Sequence, residues 1–230
     1  MIKSFLITIS FSILLFSSQQ ILFVVADDFN SSVAKMECYE GEELLCEAIE
    51  VNLGKNGLGW GVGEMNFSYK ADEPHKKEGD KRAPAGLFHL TDIFGYAPSH
   101  NYSLPYLYAS KNLICVDDSN SNFYNQIIEA NGDEKSFEHM RRSDNLYEIG
   151  VVVAHNKAAL KNRGSCIFLH IQKGKKRGTA GCTSMAKEDI QKIVHWLDKT
   201  KNPVLIQIPK EHAKEVVKLY PFLERSKLLK

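Results

Sequence analysis

The sequence predicts one mainly β domain with α-helices gathered toward the C-terminus, and three observations carry that prediction. Short β-branched or apolar runs bounded by turn residues recur through the second half, at Leu113–Val116, 149–154 and 166–171. Residues 51–69 are rich in glycine interleaved with Trp60 and Phe67, a composition that suits short strands and tight turns and opposes helix. Helical spacing appears only late, where Ile190, Ile193, Val194 and Leu197 recur three and four apart. With 230 residues, 43% of them hydrophobic, the chain is long enough to bury one sizeable core.

The N-terminus reads as an export signal. Lys3 supplies a positive charge, residues 5–16 form a hydrophobic run, and a weaker run follows over 21–25. Val24 and Ala26 satisfy the small-residue rule at minus three and minus one, so cleavage is expected after Ala26, leaving Asp27 as the mature end. An uncleaved anchor is opposed by Ser17, Ser18, Gln19 and Gln20 in the middle of the apolar stretch. Residues 27–50 then form a lead segment to a single domain over 27–230, since no repeat, low-complexity tract or linker divides the chain. No later segment is apolar enough to span a bilayer.

Lysine and arginine number 29 against 28 acidic residues, a balance that gives no reason to expect a nucleic-acid partner. Five cysteines, at 38, 46, 115, 166 and 182, leave at least one thiol unpaired in an exported protein. Cys38 and Cys46 are close enough for a small disulfide loop. Cys115 and Cys166 lie inside apolar runs and read as buried, inert thiols.

Along the chain, residues 76–81 are charged and turn-like, and Pro84, Ala85 and Gly86 lead into a strand at 87–90. Beyond Cys182, Ser184 is placed as an N-cap with Glu188 and Asp189 near the opening turn, so a helix is expected to start just after the cysteine. Prolines at 203 and 209 bound one more strand, and 210–219 is a last short helix.

The chemistry concentrates at 164–184. If 166–171 is extended, Cys166, Phe168 and His170 share one face, because strand side chains alternate. The loop after it contains Gly174 and Gly178 and is long enough to return Cys182 to the imidazole. His170 would then take the thiol proton, giving a thiolate and imidazolium pair. The expected helix N-terminus and the basic run Lys173, Lys175, Lys176 and Arg177 would favour the thiolate further. Gly181 permits a turn that a Cβ would resist and leaves room for a substrate carbonyl.

The stretch from His170 to Met185, ending Thr179-Ala-Gly-Cys-Thr-Ser-Met185, resembles the catalytic signature of the YkuD-type L,D-transpeptidases, a histidine followed by Ser/Thr-x-Gly-Cys. Gly79-Asp-Lys-Arg-Ala-Pro-Ala-Gly-Leu-Phe88 resembles that family's Gly-Asp…Thr-Pro-x-Gly-x-Phe segment, and 115–118, Tyr124-Asn125 and 150–156 resemble a subgroup of it. The similarity runs over 57–209. It implies a mixed β-sheet sandwich and a ping-pong acyl transfer on peptidoglycan stem peptides, with no metal and no cofactor. Cys182 would be the nucleophile, His170 the base with its other nitrogen on a backbone carbonyl, and the N–H groups of Gly181, Cys182 and Thr183 the oxyanion hole. Many members carry histidine before the Gly-Cys pair and arginine or asparagine two residues after the cysteine; here those positions are Ala180 and Ser184.

Candidates for holding substrate are therefore His155, Arg82, Arg141, Lys176, Arg177 and Ser184. Asp117 and Asp118 are adjacent in a strand, point to opposite faces, and read as structural. The rival functions are an L,D-carboxypeptidase that resolves the same thioester with water, and a non-catalytic wall-binding module. Zinc binding would need ligands beyond His170 and Cys182, and no Cys-x-x-Cys or His-Glu-x-x-His spacing supplies them.

Overall fold

The computed structural model describes residues 19–230. Its strands are β1 (Gln20–Ala26), β2 (Val33–Glu40), β3 (Glu43–Asn52), β4 (Leu58–Trp60), β5 (Ala83–Gly95), β6 (Tyr106–Tyr108), β7 (Leu113–Val116), β8 (Ile127–Glu129), β9 (Phe137–His139), β10 (Ile149–Val153), β11 (Phe168–Ile171), β12 (Thr183–Met185) and β13 (Val204–Pro209). Helix α1 (Lys187–Trp196) precedes β13 and α2 (Ala213–Leu219) follows it, so the mainly β fold with late helices stands. No helix among the described residues is long and apolar enough to cross a membrane.

The main sheet closes on itself. From β5 the pairing runs through β13, β1, β2, β3, β12, β11 and β10, and β10 pairs back onto β5. Closure gives these strands an interior, which Val24, Met36, Phe88, Leu169 and Leu205 help to fill. A second sheet, ordered β8-β7-β9, stands apart and packs against a smaller core containing Phe94, Met140, Tyr147, Phe168 and Cys182.

The N-terminal boundary expected after Ala26 falls at the end of β1. This strand pairs parallel with β13 and antiparallel with β2, and Ile21, Leu22, Phe23 and Val24 are at most 1% exposed. Burying four such side chains contributes on the order of 8 kcal/mol, comparable to the whole stability of a domain. A cut after Ala26 would remove this central strand. Strands buried on both faces read as continuous apolar runs, so the second hydrophobic run resembles a signal segment and is core. The charged start and the run over 5–16 lie outside the described residues. The lead segment, 27–50, is itself structural: most of it is the β2–β3 hairpin.

Two further expectations change. The helix does not begin just after Cys182: Thr183–Met185 is a strand, Ala186 is the N-cap, and Ser184 caps nothing. Cys115 and Cys166 are not free thiols but are bonded to each other, as Cys38 and Cys46 are. The Cys115–Cys166 link ties β7, and with it the small sheet, to the residues entering β11.

Candidate active site

Parallel pairing of β11 with β12 sets His170 opposite Ser184 and Leu169 opposite Thr183. Cys182 immediately precedes β12, one step back in that register, so it lies on the same face as His170 and against Phe168. The strand starts at Phe168 rather than at Cys166, whose backbone is left-handed with φ 54°.

The loop that returns the chain is anchored at both ends. Asn52 donates to Gln172 Oε1 at 3.0 Å and to the Gly174 carbonyl at 3.1 Å, while Lys55 N donates to Thr179 O and Thr179 N to Leu53 O. Gly181 closes the turn with φ 153°, and a Cβ there would sit 3.2 Å from the carbonyl of Arg82.

Cys182 is the one free cysteine among the described residues, and it is buried. Its sulfur accepts from Phe168 N at 3.3 Å and donates to Cys166 O at 3.5 Å. His170 Nδ1 lies 2.8 Å from the carbonyl of Ile171. A carbonyl can only accept, so Nδ1 carries the proton and Nε2 keeps the lone pair a base needs. No hydrogen bond joins His170 to Cys182 among the described residues.

Burial pushes the Cys182 thiol up to about 12, with the nearby Glu138 carboxylate adding to the shift. Burial also lowers His170 to about 4. A thiolate and imidazolium pair is thus not the resting state; the site holds a neutral thiol and a neutral imidazole. The helix-terminus argument for a thiolate fails as well, since α1 starts beyond β12.

A pocket of about 480 Å³ opens in front of this pair. Its lining combines Lys55, Lys81, Lys173 and Arg177 with Glu78, Asp117 and Glu138. A larger groove of about 800 Å³ lies behind the basic loop, bordered by Lys35, Lys175, Lys176 and Lys210, and contains neither histidine nor cysteine. The loop is therefore a partition: Arg177 faces the catalytic pocket and Lys176 the other groove.

Several sequence candidates are placed elsewhere. Arg82 donates to the carbonyls of Phe29 and Leu58, and Arg141 donates to those of Ala109 and Tyr96 while stacking over the Tyr96 ring at 4.3 Å. Both guanidinium groups are consumed by backbone, and neither lines the pocket. His155 is 2% exposed, accepts from Val62 N and donates to Arg163 O, so it fastens loops together. Thr183 directs its hydroxyl away from the pocket, onto Gln207. Gly181 N already donates to Thr179 Oγ1 at 3.1 Å.

Ser184 does line the pocket, 1% exposed, with a hydroxyl oxygen lacking a hydrogen-bond partner among the described residues. Asp117, read as structural, also lines the pocket, and its Oδ1 is buried without a partner among the described residues.

Sequence reasoning missed three pocket residues. Tyr147 packs 5.1 Å from the His170 ring and donates to Glu138 Oε2 at 2.7 Å. Burial raises Glu138 above the usual carboxylate range. Lys76 is 3% exposed beside Gly181. Only Tyr147, two residues before a predicted strand, carried any signal.

A family model for the L,D-transpeptidase catalytic domain, YkuD, matches residues 29–206. No curated protein matches the chain. Among solved structures, the chain is similar to the helical cell shape determining protein Pgp2 from Campylobacter jejuni, at 13% identity and a TM-score of 0.37. That alignment covers 84% of this chain and 48% of the other, so the chain spans about half of that protein's length.

Proposed function

We propose, from the premise that this chain belongs to the L,D-transpeptidase catalytic domain family, that it is a cysteine acyltransferase acting on peptidoglycan stem peptides. The observation that carries this reading is the placement of His170 and Cys182 on one face of adjoining strands, before a pocket, with Nε2 of the base unprotonated.

Because both groups rest neutral, the proton moves as the reaction proceeds. Nε2 of His170 takes the thiol proton while the sulfur of Cys182 attacks the carbonyl of the L-centre preceding the terminal D-residue. The carbonyl π pair moves to oxygen, then re-forms the double bond as the C–N bond breaks. The departing D-residue takes the proton from His170 and leaves a thioester. A primary amine from a second stem then attacks, passes a proton to Nε2, and releases the sulfur, which recovers that proton. Arg177 and Lys173 supply positive potential for anionic peptides, and the unpartnered hydroxyl of Ser184 is available to a substrate oxygen beside His170.

Two disulfides support an oxidising location, consistent with export to the cell envelope. Intact-mass measurement after incubation with a stem tetrapeptide or a carbapenem tests the reading. Wild type should gain the acyl mass, with none on C182A and a much slower gain on H170Q. Folded wild type with both disulfides intact and Cys182 free that stays unmodified by both would overturn it. Analysis of the released products with and without an added amine separates transfer from hydrolysis.

A further inference from the structure

We infer that Lys76 is a catalytic residue, its ammonium taking the negative charge that develops on the substrate's carbonyl oxygen; this rests on the acyl-transfer reading above. Within a charged run of the kind usually left in solvent, Lys76 is 3% exposed and lines the same pocket as Cys182. Burying an ammonium is costly unless it is paired. Here Nζ donates to Asp80 Oδ1 at 2.6 Å and to the Lys77 carbonyl at 2.7 Å. Asp80 is fixed in turn, accepting from Lys77 N at 2.7 Å and Arg82 N at 2.9 Å. An ammonium has three donors, so one remains, on a cation that cannot swing away.

Its direction is set by two glycines. A Cβ at Gly164 would meet the Lys76 chain at 2.9 Å, so the stem threads past a residue that must lack one. A Cβ at Gly181 would stand 3.7 Å from Nζ, which puts the charge beside the Gly181–Cys182 peptide. An independent observation leaves the expected oxyanion hole one donor short. Gly181 N–H, one of the groups expected to form the oxyanion hole, is already given to Thr179 Oγ1, whose own hydroxyl donates to Cys182 O at 2.6 Å. The Thr183 hydroxyl is turned to the opposite face, onto Gln207, and adds no donor here. A clamped cation in a water-poor pocket is the kind of group that stabilises a tetrahedral oxyanion, because it need not reorganise as charge appears. Glu78, Asp117 and Glu138 share the pocket and oppose an anion, and Lys76 is the cation buried among its lining residues.

The test compares two reactions of Cys182 in K76M and wild type. Acylation by p-nitrophenyl acetate passes through a tetrahedral oxyanion; alkylation by iodoacetamide needs the same thiolate but forms none. The ratio of acylation to alkylation rate should fall on the order of 100-fold in K76M, with the loss in kcat rather than KM, and K76R should restore much of it. D80N, which leaves the ammonium present but unclamped, should lower the same ratio and carries the test should K76M not fold. Parallel losses in both reactions, or loss in neither, would overturn the role. Wild type that is alkylated but never acylated would overturn the acyl-transfer reading and the role of Lys76 with it.

Discussion

The sulfur of Cys182 lies 3.5 Å from the main-chain oxygen of Cys166, whose side chain is bonded to Cys115 on the small sheet. One disulfide therefore underlies the nucleophile and holds the sheet that carries Glu138 and precedes Tyr147. It closes a separation of 51 residues against 8 for Cys38–Cys46. Loop-closure entropy then assigns about 4 kcal/mol to the first and about 2.5 kcal/mol to the second. Chemical denaturation should find C115A/C166A the less stable of the two double variants, and only that one should lose acylation in the folded state. Equal acylation by both variants would remove the link between this disulfide and the site.

Because the Cys182 thiol is pushed up to about 12 and His170 down to about 4, no thiolate accumulates at neutral pH. Alkylation by iodoacetamide should be slower than for a free thiol at pH 7 and should climb about tenfold per pH unit through pH 9 without levelling. E138Q removes a negative charge that opposes the thiolate, so its rate at pH 8 should exceed that of wild type. A plateau near neutrality would instead mean a standing thiolate and imidazolium pair.

Residues that announce themselves by spacing were legible: the Gly-Cys element, a histidine in an apolar run, and strands at β7 and β10. Residues whose role depends on neighbours distant in sequence were not. Arg82 and Arg141 look like anion binders until their guanidinium groups are seen to be spent on carbonyls, whereas Lys76, in a run that reads as solvated, is the buried cation. Thr183-Ser-Met185 lies between a turn and a helix and has no apolar alternation of its own; its strand is imposed by pairing with β11. Cys115 and Cys166 each fit a buried thiol equally well, and only the contact between two sheets makes them a pair.

His155 and His170 are both held neutral by burial, at about 4 against an ordinary 6.5. Between those values the unfolded chain binds more protons than the folded one, so stability rises with pH across the interval. The contribution is complete above 6.5 and is lost as pH falls toward 4, on the order of 3 kcal/mol for each histidine. Urea midpoints should drop steeply from pH 7 to pH 4.5. H155Q should be less stable at pH 7 by about 1–3 kcal/mol, through its lost loop contacts, yet show a shallower fall on acidification. A slope as steep as that of wild type would exclude His155 as a source of the acid sensitivity.

The position of β1 makes a prediction about processing. Val24 and Ala26 form a good small-residue pair, but they sit in a strand hydrogen-bonded on both sides, with Val24 opposite Met36 and Gln207. A chain starting at Asp27 would open the closed sheet between β2 and β13 and expose the interior around Met36 and Leu205. Cleavage compatible with the fold falls before Gln20, where Ser17 and Ser18 offer small residues. N-terminal sequencing of the mature protein should therefore read through Gln20–Ala26. A variant beginning at Gln19 should fold and be acylated, whereas one beginning at Asp27 should be recovered aggregated or unfolded. A soluble, cooperatively folding protein that starts at Asp27 would show that β1 is dispensable and return the processing site to Ala26.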